Sequence, residues 1–235
     1  MWVCDLGNTR IRWAWHEEGR LRDQGSALRR DAAWKAAWRP GPNPVAVVSV
    51  ADDEAERALE TWLLEQGATQ VRFPRSRRRS GGVTNAYKDV SQLGADRWAA
   101  LVAAHARHAG PLTVIDAGSA VSVDVLDRNG RHLGGAILPG LRMMRLGLIR
   151  ATARIGADAE ADGDDLGIDT AECVSVGVLS AVVGGVRRVL DRAERRLGAP
   201  PTHVLCGGDA PRLRRFLEPV VADPDLVLWG AALLG

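Results

Sequence analysis

Apolar and polar residues follow two different periods along this chain. Apolar residues recur at helical spacing over residues 52–66 and 95–109, which predicts an amphipathic helix in each range. Over residues 121–125, apolar and polar residues alternate strictly, which predicts a strand with one buried face. A long apolar helix with several small residues is predicted over residues 170–197. Strands that alternate with helices in this way indicate an α/β fold.

The other predicted elements occupy both halves of the chain. In the first half, the pattern predicts a β-hairpin over residues 2–15 and 21–26, a helix over 31–38 and strands over 45–50 and 71–73. In the second half, it predicts strands over residues 112–115, 134–140 and 203–205, a helix after Gly140 and one terminal helix. The periodicity fails over residues 74–94, which are predicted to be a mobile arginine-rich loop, and the acidic residues 158–165 are predicted to form a surface loop.

The motif of a strand that ends in aspartate and enters a glycine turn occurs twice in the sequence. The first copy contains Asp5 and Gly7, and the second contains Asp116 and Gly118. The two copies align without a gap at a constant offset, which extends to Gly19 in the first copy and Gly130 in the second. A glycine in such a turn lets an anion approach backbone N–H groups, and a carboxylate at the strand end suits Mg²⁺. The repeat therefore predicts two lobes, residues 1–110 and 111–235, each with a turn that can hold phosphate.

Composition narrows the classes of protein to which the chain can belong. Its 235 residues are 46% hydrophobic and carry a formal net charge of +2, so neither nucleic acid nor a membrane surface is an expected partner. The three cysteines lack the spacing of a metal site and suit a reducing compartment. No secretion signal is visible, and the apolar run over residues 173–186 is shorter than the ~20 residues that span a bilayer. A soluble cytoplasmic protein is expected.

The arginines within residues 74–94 allow two interpretations. Charged side chains in a region without apolar periodicity are commonly solvated. They can instead contact a phosphate or a carboxylate, because a guanidinium matches the geometry of both. The sequence leaves both interpretations open.

Together, the motifs resemble those of the type III pantothenate kinases, the family that includes the Bvg accessory factor group. The resemblance covers almost the full length of the chain. It rests on the order and spacing of six motifs, which are Asp5-x-Gly7-Asn8-Thr9, Tyr87 followed by Gly94-Ala95-Asp96-Arg97, Asp116-Ala117-Gly118-Ser119-Ala120, Gly134-Gly135-x-Ile137-x-Pro139-Gly140, Thr170 before Gly177, and Gly207-Gly208.

The resemblance implies a fold, a reaction and an assembly. The fold is that of the acetate and sugar kinase/Hsp70/actin superfamily, an α/β fold with two duplicated ribonuclease H-like lobes and an interlobe nucleotide cleft. The reaction is the ATP-dependent phosphorylation of pantothenate to 4'-phosphopantothenate, the first step of coenzyme A biosynthesis. The implied cofactors beside ATP are Mg²⁺ and a monovalent cation, K⁺ or NH₄⁺, and the implied assembly is a homodimer.

The resemblance also implies roles for particular residues. Asp96 is the implied general base. Pantothenate binding is implied for Tyr87, Gly94, Ala95, Arg97 and Thr170. ATP binding is implied for Asp5, Leu6, Gly7, Asn8, Thr9, Arg10, Ile11, Arg12 and Ser119. Asp5 is the implied ligand of Mg²⁺, and Asp116 is the implied ligand of the monovalent cation.

Structural alternatives stay open for several of these residues. Asp96 can instead cap or begin a helix, and Thr170 can be an ordinary N-cap. Tyr87 can be a packing aromatic. Ser119 departs from the threonine that is usual in this loop of the family, although the hydroxyl is retained.

Two other functions are compatible with the same fold. One is a kinase for another small hydroxylated acceptor, or a phosphatase for phosphoanhydrides, since a fold does not fix a chemistry. The other is an ATP-binding regulatory protein whose arginine-rich loop contacts nucleic acid. Residues 87 and 94–97 favour the pantothenate kinase, because they form the acceptor side of the resemblance.

Overall fold

The computed structural model describes residues 1–152, 155–156 and 165–235. Its strands are β1 (Trp2–Leu6), β2 (Arg10–Glu17), β3 (Arg20–Leu28), β4 (Pro44–Ser49), β5 (Gln70–Arg72), β6 (Arg79–Ser80), β7 (Val83–Thr84), β8 (Leu112–Ala117), β9 (Ala120–Leu126), β10 (His132–Pro139), β11 (Thr202–Cys206) and β12 (Val221–Ala222). Its helices are α1 (Trp34–Ala37), α2 (Asp53–Glu65), α3 (Ala95–Arg107), α4 (Leu141–Ala151), α5 (Thr170–Leu197), α6 (Ala210–Leu217) and α7 (Leu226–Leu234). The predicted acidic loop over residues 158–165 lies outside the described residues, apart from Asp165.

Five strands of the first half form a sheet in the order β3-β2-β1-β4-β5. β2 pairs antiparallel with β1 and β3, as predicted, and β4 pairs parallel with β1 and β5. α2 lies between β4 and β5 and begins where predicted, because the Asp52 side chain accepts the N–H of Ala55 at 2.8 Å and caps the helix. Gly67 follows this helix with a φ of 91°, which glycine adopts without strain.

The second half repeats this arrangement. Its five strands are ordered β10-β9-β8-β11-β12, and β11 pairs parallel with both β8 and β12. In each sheet the first strand in sequence is central, the next two follow on one side and the last two lie on the other. The identical order confirms the duplication that the repeated turn predicted.

The two glycine turns nevertheless differ by one residue. The N–H of Gly7 donates to the carbonyl three residues later, whereas the N–H of Gly118 donates to the carbonyl two residues later, both at 3.0 Å. The ungapped offset was therefore wrong within the turns. A longer turn between β9 and β10 compensates for the difference, so Gly19 and Gly130 occupy equivalent hairpin turns with φ values of 69° and 74°.

The chain forms two compact units. The first consists of Met1–Gly110, Leu126–Gly134 and Asp225–Gly235, and the second consists of Pro111–Val125 and Gly135–Pro224. The turn between β9 and β10 and the helix α7 thus belong to the first unit, although they come late in the sequence. The division into domains 1–110 and 111–235 stays a prediction.

Three predictions were wrong in the extent of an element. The helix over residues 31–38 shortens to the single turn of α1, because the Asp31 carboxylate accepts the N–H of Ala33 and holds a tight turn before it. The single terminal helix divides into α6, β12 and α7, because Pro219 cannot continue the helix that ends at Leu217. The loop over residues 74–94 contains the β6–β7 hairpin and a 3-10 turn over Val90–Gln92.

β9 is buried on both faces, although its alternation predicted one exposed face. Ser122 and Asp124 leave only 8% and 2% of their surface exposed. Alternation identifies the apolar face of a strand, but it does not show whether the other face meets solvent. The polar side chains of β9 lie inside the protein.

In the described part of the chain, α5 alone is long and apolar enough to cross a membrane. Its most apolar window has a mean hydropathy of 1.6, and 39% of that window is buried within the protein. Val178, Val182 and Val186 belong to an apolar cluster that also contains residues of β8 and β9. Packing on the second sheet accounts for this apolar face, so the helix is weak evidence for a membrane span.

Gly230 and Gly147 make a matched pair for a test of the packing of α7. A Cβ on Gly230 would overlap the backbone of Ala99 in α3, so Gly230→Ala is expected to lower the free energy of unfolding by about 1–3 kcal/mol. Gly147 faces open space within α4, so Gly147→Ala is expected to raise it by up to ~1 kcal/mol. Denaturant unfolding measures both changes, and equal stability of the two variants would contradict the α3–α7 contact.

Candidate active site

The carboxyl ends of β1 and β4 meet at one edge of the first sheet, because the two strands are parallel. The carbonyl of Leu6 accepts the N–H of Val50 at 3.2 Å, so the pairing continues up to the glycine turn over residues 7–9. The Val50 side chain lies 3.6 Å from the position that a Cβ on Gly94 would occupy. The glycine turn and the start of α3 therefore lie at the same edge of the sheet.

Asp96 lies in the first turn of α3, where the helix dipole favours a carboxylate. Its Oδ1 accepts the N–H of Arg97 at 2.7 Å and lies 2.6 Å from the position of a Cβ on Gly94. Gly94 is the N-cap residue, so Asp96 is a first-turn residue and not the cap. Because Gly94 has no side chain, the half-buried Asp96 carboxylate fits above it.

Arg97 and Tyr87, both predicted to contact pantothenate, meet in the folded chain. Arg97 is 7% exposed, and its Nη1 donates to the hydroxyl of Tyr87 at 3.0 Å. The guanidinium carbon lies 5.7 Å from the centroid of the same ring. The tyrosine ring also lies parallel to the imidazole of His132, with centroids 5.9 Å apart and planes within 16°. The structure thus brings Tyr87, Gly94, Ala95, Asp96 and Arg97 to the start of α3.

Two polar side chains hold the backbone around Tyr87. Asn85 is 1% exposed, and its side-chain oxygen accepts the N–H of Tyr87 at 2.9 Å. Arg78 donates to the carbonyls of Asn85 and Tyr87 at 2.9 and 3.0 Å and to that of Lys88 at 3.2 Å. The arginine therefore acts as a clamp on the segment that carries the tyrosine.

Arg75, in the same segment, pairs with a carboxylate of α2. Its Nη1 donates to Oε1 of Glu56 at 2.9 Å, and its Nη2 contacts Oε2. Burial favours the neutral form of Glu56, but hydrogen bonds from Arg75 and Ser49 and the charge of Arg75 outweigh burial and lower the pKa of this carboxyl. The sequence left open whether these arginines are solvated or contact an anionic group. Arg75 and Arg78 do contact oxygen acceptors, but those acceptors are a carboxylate and carbonyls of the protein itself.

The residues of the first glycine turn differ in what they can offer a nucleotide. Asn8 and Thr9 are exposed, and they follow Gly7 at the sheet edge. Leu6 and Ile11 expose 2% and none of their surface and belong to the apolar core. The side chains of Leu6 and Ile11 therefore serve packing, and only their backbone groups remain for ATP binding.

The other predicted ATP-binding residues of this hairpin are polar. Arg10 donates to the hydroxyl of Ser26 at 3.3 and 3.2 Å, and Arg12 forms an ion pair with Asp225. Asp5 is half-buried next to the end of β1. Within the described residues, no cluster of three His, Cys, Asp or Glu forms a ready metal site. Mg²⁺ that is bound with phosphates needs only one or two protein carboxylates, so Asp5 fits the chemistry of this ion.

The second sheet has an equivalent edge, at the carboxyl ends of β8 and β11. A Cβ on Gly207 would overlap Oδ1 of Asp116, so this carboxylate lies against the glycine. Ser119 is exposed in the turn, and its carbonyl accepts the N–H of Gly140 at 3.1 Å. The N–H of Asp209 donates to the carbonyl of Ala117 at 2.8 Å, and burial raises the pKa of the Asp209 carboxyl although the charge of Arg212 opposes the rise. Asp116 and the residues after β11 are thus neighbours.

Thr170 is exposed at the first position of α5 and lies in the second unit. The N-cap is Asp169, whose side chain accepts the N–H of Glu172 at 2.8 Å, so Thr170 does not cap the helix. The threonine lines a largely apolar groove of about 530 Å³, together with Leu148, Ile155, Gly167, Ile168, Asp169, Cys173, Val174 and Gly177.

Sequence reasoning missed Arg78, Asn85 and His132 as residues of this site. The Asn-x-Tyr spacing is a signal for the turn that Asn85 makes, because an asparagine side chain often binds the N–H two residues later. Arg78 was only one of several arginines in its segment. No periodicity or motif indicates that His132 lies next to Tyr87.

The chain is similar in sequence to a known protein family. A sequence profile of the family described as type III pantothenate kinase matches residues 1–192. A type III pantothenate kinase of Laribacter hongkongensis is 35% identical over 244 aligned positions, which cover 99% of this chain and 97% of the relative.

Solved structures show a similar fold at low sequence identity. A Campylobacter jejuni protein described as a Baf family transcriptional activator is 18% identical, with a TM-score of 0.63 and coverage of 99% of this chain and 96% of that one. A Listeria monocytogenes protein assigned as an N-acetylmannosamine kinase is 12% identical, with a TM-score of 0.53 and coverage of 98% and 97%. These structures support the duplicated α/β fold.

Arg78→Ala tests the clamp on the segment of Tyr87. Loss of the contacts to the three carbonyls is expected to speed hydrogen exchange of the amides at residues 85–88 by about 10-fold or more. Arg77→Ala changes the neighbouring exposed arginine and is the matched control, for which exchange should stay as in the unaltered protein. Equal exchange in the two variants would refute the clamp.

Proposed function

The chain belongs to the type III pantothenate kinase family, and we propose how its residues carry out the reaction of that family. It is an ATP-dependent kinase with the actin-like fold of two ribonuclease H-like lobes, and it phosphorylates pantothenate in coenzyme A biosynthesis. The observation that supports the proposed site is that Asp96 is hydrogen-bonded to Arg97, which in turn binds Tyr87, at the sheet edge that carries the glycine turn.

We propose that Asp96 is the general base. As the primary hydroxyl oxygen of pantothenate bonds to the γ-phosphorus of ATP, the bond from that phosphorus to the bridging oxygen breaks and ADP leaves. The hydroxyl proton passes to the Asp96 carboxylate. The N–H of Arg97 and the space above Gly94 hold this carboxylate in one orientation, which favours a transfer that depends on positioning.

The acceptor is held on the same side of the site. In our proposal, the buried guanidinium of Arg97 binds the pantothenate carboxylate, because the fork of N–H donors matches a carboxylate. Tyr87 packs against the pantothenate chain, and its hydroxyl orients Arg97. Gly94 and Ala95 leave space for the acceptor, and Thr170 contributes a hydroxyl contact.

ATP and the cations are assigned to the two glycine turns. The N–H groups and side chains of Asn8 and Thr9 hold the β- and γ-phosphates, and Gly7, which has no side chain, lets the phosphates approach the turn. Asp5 would hold Mg²⁺, which neutralises phosphate charge when it is bound. Asp116 would hold K⁺ or NH₄⁺, and Ser119 supplies a hydroxyl toward ATP.

We further propose a cytoplasmic homodimer. The small-residue face of α5 between Gly177 and Gly185 is the candidate contact, because it permits close approach of a second helix. Light scattering measures the mass in solution. A mass of two chains supports the homodimer, and a mass of one chain contradicts it. Nucleic acid is not an expected partner, and the internal contacts of Arg75 and Arg78 leave the alternative of a nucleic-acid-binding regulator with fewer available charges.

Asp96→Asn tests the base. The substitution keeps the shape of the side chain but removes the proton acceptor, so turnover of pantothenate should fall by about 100-fold or more while ATP binding and the fold persist. Asp53→Asn makes the same chemical change in the first turn of α2 and should leave turnover within about twofold. Steady-state kinetics with circular dichroism gives the answer. Near-normal turnover by the Asp96→Asn protein would refute the assignment.

The cation proposal has a separate test. Product should form with Mg²⁺ and either K⁺ or NH₄⁺, and it should fall to background when Na⁺ replaces them at equal ionic strength. Asp116→Asn should abolish the difference between K⁺ and Na⁺, because the carboxylate that distinguishes them is gone. Equal rates in all three salts with the unaltered protein would exclude this role for Asp116.

A further inference from the structure

His132 is a fully buried histidine that touches the acceptor side of the proposed site. It exposes none of its surface and begins β10. Its imidazole lies parallel to the ring of Tyr87, with centroids 5.9 Å apart and planes within 16°. The same tyrosine receives the hydrogen bond from Arg97. His132 thus contacts the proposed pantothenate site through an aromatic ring, and it has no role in the mechanism above.

The backbone and the ring of Tyr87 have different supports. Asn85 and Arg78 bind the N–H and the carbonyl of this residue, so they fix its backbone. Hydrogen bonds to the backbone do not prevent rotation of a side chain about its own bonds. Among the contacts of the described residues, the stack on His132 and the hydrogen bond from Arg97 act on the ring itself.

The turn that precedes His132 is fastened to the segment that leads to Tyr87. The carbonyl of Gly130 accepts the N–H of Thr84 at 2.9 Å, and Thr84 forms a parallel bridge with Arg131. This attachment lies close to both rings of the stack, since it joins residues just before each of them. This attachment places the imidazole beside the tyrosine. None of the backbone contacts described for it involves the glycine turn over residues 7–9.

We propose that His132 is a positioning residue that sets the affinity for pantothenate by holding the ring of Tyr87, and through Tyr87 the guanidinium of Arg97. The flat imidazole restricts the plane of the tyrosine ring, so the hydroxyl stays directed at Arg97. His132 does not take part in phosphoryl transfer. The inference rests on the proposed placement of pantothenate against Tyr87 and Arg97.

Steady-state kinetics of substituted proteins tests this inference. His132→Ala should raise the KM for pantothenate by about 10-fold, with kcat and the KM for ATP within about twofold, because the change removes acceptor binding and not chemistry. His132→Phe restores a flat ring and should return the KM for pantothenate close to its original value. His132→Asn keeps a polar group without a ring and should behave like His132→Ala. Rescue by asparagine but not by phenylalanine would overturn the proposal in favour of a hydrogen-bonding role.

A matched histidine controls for general damage to the hairpin. The His105 ring packs against the same turn, with its Nε2 2.9 Å from the position of a Cβ on Gly130, but no ring contact among the described residues joins it to Tyr87. His105→Ala should leave the KM for pantothenate within about twofold even if it lowers the melting temperature. An equal rise of this KM in both alanine variants would show loosening of the turn and refute positioning by His132.

Tyr87→Ala separates failure of this inference from failure of the proposed site. If Tyr87→Ala raises the KM for pantothenate and His132→Ala does not, the acceptor site stands and the positioning role of His132 falls. If neither substitution changes this KM, the placement of pantothenate against Tyr87 is wrong, and the inference falls with it. A rise in both, with rescue by His132→Phe, supports the inference.

Discussion

Parallel pairing of β1 with β4 is the constraint on which the rest of the site depends. Parallel strands end at the same edge of a sheet, so the turn after β1 and the residues after β4 must meet there. The bond from the Val50 N–H to the Leu6 carbonyl extends this pairing to the glycine turn, and Val50 packs near Gly94 at the start of α3. Strand pairing and the packing of the Val50 side chain thus place the start of α3, with Asp96, at the sheet edge of the proposed phosphate turn.

Polar side chains then hold the segment that carries Tyr87. Arg78 and Asn85 bind backbone groups near Tyr87, and Arg97 binds the tyrosine hydroxyl from a nearly buried position. Asn85 and Arg97 are buried, and a buried polar group is costly when it lacks a partner, so their contacts restrict the segment to few conformations. The arginines of this region therefore bind groups of the protein and hold the segment of Tyr87, which the net charge of the chain does not show. Because one fold hosts many functions, these side chains at the site distinguish this protein more than its fold does.

The two copies of the duplicated sheet have diverged at their turns. Both place an aspartate beside a glycine turn, but the hydrogen bonds that close the turns span different numbers of residues. The first unit also holds Tyr87 and Arg97, which we propose to bind pantothenate, whereas the second sets the Asp116 carboxylate against Gly207. The two copies thus have equal strand order but different turn geometry, and we propose different ions for Asp5 and Asp116.

The sequence by itself determined the family, the duplication and the elements with strong periodicity, such as α2, α3 and α5, because these depend on local patterns. It placed Asp96 and Arg97 on one helix and Asp5 before a turn for the same reason. Only the tertiary structure decided that Arg78 clamps the segment of Tyr87, that His132 stacks on its ring, and that the polar face of β9 is buried. Those facts depend on tertiary contacts, which for His132 and Tyr87 join residues far apart in the chain, and a local pattern of polarity does not specify which side chains will meet.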